Sequence, residues 1–218
     1  MIKTKGQILK EGRYDSFTRK ISNDIMSFVK QGVGNDGNVF GILPSDDQEY
    51  THESGISFNV HINTSRVDSL TLRGKDYDYF VNTFIDYDDD IYIEITLNYN
   101  NEPQSYEKLF YKINEDVRHE VEHYTQEIHK DKPDITNATA KYDNTFEHHK
   151  DIAEIAALVH GFYRRAKLEK MPLDVVMKSD LDRDVFNGNI TNREAEVLLD
   201  KWVKFAKRRL PSAIYSNQ

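Results

Sequence analysis

A chain of 218 residues with 38% hydrophobic and 11% aromatic content can bury a core of its own, as one large domain or two closely packed lobes. Its formal net charge of −8 argues against a nucleic-acid or anionic-membrane partner held by bulk electrostatics. The absence of cysteine excludes disulfides, thiolate metal sites and a cysteine nucleophile, so any zinc must be held by histidine and carboxylate.

The start, Met1-Ile2-Lys3-Thr4-Lys5-Gly6, lacks the apolar segment of a secretory signal, and no apolar run approaches membrane-spanning length. The expectation is a soluble protein acting where it is made, in the cytoplasm, or in a host cytoplasm if the source is viral. Abundant Asn, Asp, Lys, Tyr and Ile are in keeping with an AT-rich, viral genome.

In chain order, Phe17, Ile21, Ile25 and Phe28 recur at helical spacing and predict an amphipathic helix over 14–31, ended by the glycines at 32, 34 and 37. Phe40 to Leu43 reads as a short strand, and Ser45 to Glu49 as a loop. From Ile56 the period changes to two: Ile56, Phe58, Val60 and Ile62 alternate with polar residues, as in a half-buried strand. Val67, Leu70 and Leu72 suggest a second strand. Tyr79, Val81 and Phe84 fit a strand or a short helix. Ile91 to Tyr99 is the clearest strand, with Ile91, Ile93, Ile95 and Leu97 on one face. The acidic run at Asp86, Asp88, Asp89 and Asp90 reads as a solvated turn. Tyr106 to Tyr111 returns as a strand or leads into the next helix.

That helix carries the chain's chemistry. Val117, Val121, Tyr124 and Ile128 recur at i, i+4, i+7 and i+11, and Asn114-Glu115-Asp116 supplies a cap and an acidic first turn. His119-Glu120-x-x-His123 lies almost opposite the apolar stripe. Two imidazoles four residues apart share one helical face and can share one metal ion, while the glutamate beside the first reaches water on that metal.

A polar connection then runs through Asn144, long enough to act as a lid or substrate wall. A second helix is predicted from Phe146 to Lys170, closed by Pro172, with Ile152, Ile155, Val159, Phe162, Tyr163 and Ala166 as its apolar stripe. Glu154 sits at the edge of that stripe, on a strip with Ala157, Leu158 and Gly161. A carboxylate among small and apolar neighbours needs a partner, and a metal with two imidazoles would be one. Glu154 is the leading third ligand; His148 or His149 is the alternative. A final helix starts near Thr191 with Glu194 in a capping-box arrangement, and residues 211–218 read as a tail. Asn187 to Glu194 imitates half of a calcium loop, but Arg183 and Val185 occupy the first ligand positions, so it reads as a turn and helix cap.

With His119, Glu120 and His123 on one helix and Glu154 on the next, the chain resembles the zincin metallopeptidases. The glutamate third ligand is similar to that of the gluzincin branch, in a small single-domain form. The wording of Asp151 to Leu158 is similar to the second helix of small peptidase-like proteins, several of them phage-encoded. The resemblance covers roughly residues 91–170. Leu158 occupies the position where gluzincins often carry an acidic partner.

The resemblance implies an α+β fold: a twisted, mostly antiparallel sheet with an N-terminal helix, followed by the active-site helix and a helical C-terminal half. It implies one domain over 1–218, with an α/β sheet lobe at 1–112 and a helical lobe carrying the metal at 113–218. It further implies a zinc-dependent endopeptidase acting on a peptide or protein substrate. Zn2+ is held by His119, His123 and Glu154, and Glu120 is the general base. Tyr142, His148, His149, His160, Tyr163 and Arg164 are the open choices for a donor to the oxyanion. The alternatives are a catalytically inactive, zinc-braced binding or virion-associated protein, and a metal-dependent amidase on a non-peptide substrate. No nucleic acid and no membrane are expected as partners.

Overall fold

The structure, a computed structural model, describes residues 14–32, 39–43, 50–51, 57–66, 77–85, 91–99, 106–128 and 144–216. The expected second strand at 67–72, the acidic turn at 86–90, the connection at 129–143 and Tyr142 lie outside them. The chain divides into two compact units, Ser16–Glu120 and Val121–Gln218 with the segment ending at Asp15.

The first unit opens with α1 (Asp15–Gly32). Phe17, Ile21, Ile25 and Val29 repeat every fourth residue and are buried, as an apolar helical stripe requires. Five backbone strands follow: β1 (Val39–Leu43), β2 (Tyr50–Thr51), β3 (Ser57–Arg66), β4 (Tyr77–Ile85) and β5 (Ile91–Tyr99). Their order is β1-β3-β5-β4, with β2 also beside β3. The outer pairings are antiparallel, with Gly41 opposite Ile62 and Val81 opposite Ile95. The inner pairing of β3 with β5 is parallel, with Val60 opposite Ile93.

Helix α2 (Tyr106–Ile128) follows, running unbroken across the division between the units. It begins at Tyr106, so the stretch that read as strand or lead-in is helical. Asn114, expected as its cap, is instead buried within it. Leu109, Ile113, Val117 and Val121 are fully buried along one stripe, while Lys112 pairs with Glu115 and, at 2.9 Å, with Asp116.

The second unit is built from α3 (Thr145–Lys150), α4 (Ile152–Glu169), α5 (Leu173–Phe186) and α6 (Asn192–Arg209), after the last turns of α2. Its core joins Ile155, Val159 and Phe162 of α4, Val176, Met177 and Leu181 of α5, and Leu198, Trp202 and Phe205 of α6. The rings of Phe162 and Trp202 lie 5.3 Å apart between centroids. Thr191 and Glu194 form the expected capping box at the start of α6.

The α+β expectation, with its twisted and mostly antiparallel sheet, is corrected here. Among residues whose side chains are described, 81% are helical and 3% lie in strands, so this part of the chain is mostly helical. The strand residues in that set, Val60, Thr96 and Asn98, do not pair with one another. The physical reason is where apolar side chains go: among the described residues, Val60 is the one strand side chain in the buried core, and helical stripes supply nearly all the rest. The sequence pattern leaves the first turns of α2 open between strand and helix, and it gives no sign of α5. In α5, Leu173, Val176, Met177 and Leu181 keep helical spacing, but Asp174, Lys178, Asp180, Asp182, Arg183 and Asp184 interleave with them.

Residues 211–216 are not a loose tail. Leu173 N donates to the Ile214 carbonyl at 2.8 Å, Ser216 N donates to Asp174 Oδ1 at 2.9 Å, and Ala213 and Tyr215 are buried. Gly188, at φ +77°, makes the turn after α5 that an L residue adopts only with strain. The calcium-like run is thus a turn and a helix cap: Asp184 accepts from Asn189 Nδ2 at 3.1 Å, and Asp182 pairs with Lys178.

Candidate metal centre

Helix pitch alone places His119 and His123 one turn apart, on the side of α2 away from its buried stripe. Both imidazoles are half-buried, and Glu120 Oε1 stands 4.0 Å from His119 Nε2.

Glu154 enters from the first turn of α4 and is 4% exposed. Its Oε2 lies 3.1 Å from His123 Nε2. One ligand atom from each of His119, His123 and Glu154 falls within 4.8 Å of the others, so this group can hold a metal ion. Two imidazole nitrogens and a carboxylate oxygen suit a borderline divalent cation, whose tetrahedral ligands stand about 3.4 Å apart at bond lengths of about 2.1 Å. The 3.1 Å separation is close to that edge.

The helix expected over 146–170 is two helices. At Asp151 the backbone turns extended (φ −62°, ψ 139°), and Asp151 Oδ1 caps α4 by accepting from Ala153 N at 2.8 Å. Asn144 caps α3 in the same way through Glu147 N. The break has a direct consequence for the site. In one continuous helix His148 would stand about 9 Å along the axis from Glu154. Here His148 Nε2 is 3.1 Å from Glu154 Oε2, the oxygen that also faces His123. Asp151-Ile152-Ala153-Glu154 carries the signal for this break, an Asp cap with Glu three residues on.

Its neighbour His149 is an anchor. Its carbonyl accepts from Trp202 Nε1 at 3.1 Å, and its ring meets the indole edge-on at 5.6 Å. Its Nδ1 is buried without a hydrogen bond, with Asp184 Oδ2 at 4.0 Å. Burial lowers the His149 pKa below 6.5; Asp184 opposes this and His148 reinforces it.

The remaining expected donors among the described residues are committed elsewhere. His160 Nδ1 contacts the Ala156 carbonyl at 3.0 Å and Glu122 Oε2 at 3.3 Å. Arg164 is buried against Asp15 at 3.3 Å, and Tyr163 Oη lies 3.0 Å from Ser212 Oγ. Compared with known proteins, the chain matches no family model, no curated protein and no solved structure.

Proposed function

We propose that this chain is a zinc-dependent endopeptidase of the His-Glu-x-x-His type. The observation that carries the reading is the buried Glu154 carboxylate, grouped with two imidazoles spaced one helical turn apart. His119, His123 and Glu154 would hold the ion. When bound there, zinc supplies Lewis acidity and makes water nucleophilic near neutral pH. Glu120, adjacent to His119, takes the proton from the attacking water and passes it to the leaving amine. The two histidines must stay neutral at the ligating nitrogen, and their helix holds both at fixed spacing. The substrate class is peptide or protein.

Among the described residues no helix is long and apolar enough to cross a membrane. The cytoplasm, or a host cytoplasm for a viral source, is the proposed site of action.

The test is a metal analysis of the purified chain and of His123→Ala, followed by cleavage profiling with Glu120→Gln. The reading expects zinc in the parent and its loss in His123→Ala. Glu120→Gln should keep zinc and lose turnover by roughly 100-fold or more. Turnover that survives Glu120→Gln removes Glu120 as the base.

One observation favours a zinc-braced, non-catalytic binding protein instead. The third imidazole, His148, faces the same carboxylate oxygen and would close the site if it ligated. Parent protein that holds zinc but cleaves no peptide would support that reading.

A further inference from the structure

We propose that His148 is the positioning residue of the ligand carboxylate, holding Glu154 by a hydrogen bond from outside the ligand set. This rests on the metal-site reading above and assigns a role to a side chain that the motif does not contain.

Three observations converge on it. First, His148 Nε2 and His123 Nε2 each lie 3.1 Å from Glu154 Oε2. A histidine that binds metal through Nε2 has committed that lone pair, so its proton sits on Nδ1 and it cannot also donate to Oε2. His148, with its proton on Nε2, can. Second, ligand carboxylates work best when a neighbouring donor restrains them, and such partners set metal affinity. On α4 the position one turn after Glu154 is Leu158, which donates nothing, so the partner must come from another element. Third, the chain builds a support for His148. The capped break at Asp151 turns α3 toward Glu154, and Trp202 of α6 fixes the adjacent carbonyl of His149 from the far side. Of the two adjacent histidines, His149 is held by the core and His148 faces the carboxylate.

The test compares Zn2+ affinity and the visible spectrum of the Co2+-substituted protein in the parent, His148→Ala and His148→Gln. Circular dichroism melting of the metal-free proteins monitors folding. Loss of a positioning partner should weaken Zn2+ binding by about 10–100-fold in His148→Ala. Gln, whose amide can donate to the same oxygen, should recover much of that loss. The Co2+ band positions should stay unchanged, because the ligand set is unchanged; a merely structural role would not combine intact bands with rescue by Gln.

In a folded His148→Ala, an affinity within about 3-fold of the parent would overturn the proposal, since outer partners cost more than that. Altered Co2+ bands with a far larger affinity loss would overturn it too, by making His148 a direct ligand. If His148→Ala does not fold, His148→Gln decides alone: unchanged bands with near-parent affinity support the proposal, and shifted bands overturn it. Parent protein that takes up no Zn2+ overturns the metal reading and this inference together. Parent binding with an indifferent His148→Ala overturns only the inference.

Discussion

Trp202→Phe separates the two jobs of the only tryptophan in the chain. The indole is fully buried between the Phe162 and His149 rings, and its N–H donates to the His149 carbonyl. Phenylalanine keeps an aromatic ring against Phe162 but deletes that donor. A buried carbonyl left without its partner costs about 1–3 kcal/mol. The atoms lost between indole and phenyl leave a void adding about 1 kcal/mol. The expected destabilisation is therefore about 2–4 kcal/mol, or a fall in Tm of roughly 5–15 °C for a chain of this length. Urea unfolding followed by far-ultraviolet circular dichroism measures it, because the variant has no tryptophan to report fluorescence. Zn2+ affinity should fall as well, since the carbonyl anchors the turn that carries His148. A loss below about 1 kcal/mol would mean that the indole–carbonyl bond is not made, and the anchoring argument would fail.

Asp151→Ala removes the cap between α3 and α4 and should cost about 1 kcal/mol, with weaker Zn2+ binding if the two helices then merge. Unchanged stability and affinity would show that the break does not depend on this side chain. Lys170, at φ 56°, ends α4 in the left-handed conformation, so Lys170→Gly should stabilise by about 0.5–1 kcal/mol. A lower unfolding midpoint would refute that. His149 yields a pH dependence with a definite sign. Because burial lowers its folded pKa, the unfolded chain protonates first as pH falls through 6.5. Its contribution is complete above 6.5 and is lost as pH falls toward the lowered folded value. Metal-free parent protein should thus lose more stability than His149→Gln between about pH 7.5 and pH 5.5, measured by urea midpoint. Equal losses would count against a neutral buried His149.

What could be read without coordinates was local. The four-residue histidine spacing needs only helix pitch, and the Thr191–Glu194 capping box needs only neighbours three residues apart. Of the alternating runs, residues 57–62 fall in β3 and 91–99 in β5, yet alternation does not say that these two strands run parallel to each other. The fold class was misjudged because α5 mixes its apolar positions with charges, and because Tyr106 to Tyr111 has no period decisive between strand and helix. Glu154 was legible as a carboxylate needing a partner. His148 stands out only as one of two adjacent histidines near the site; its approach to the same oxygen that faces His123 is not legible, because one unbroken helical period runs through Asp151 in the sequence pattern.

Sequence by itself determined the spacing of His119, Glu120 and His123, since backbone pitch places those residues whatever surrounds the helix. Tertiary structure decided which imidazole meets Glu154 from α3, that the segment after Leu210 docks on α5, and that Trp202 reaches back to His149. Each of those contacts joins side chains or backbone groups from different elements. Their geometry is set by how helices pack and where caps break them, and no periodicity along the chain encodes that.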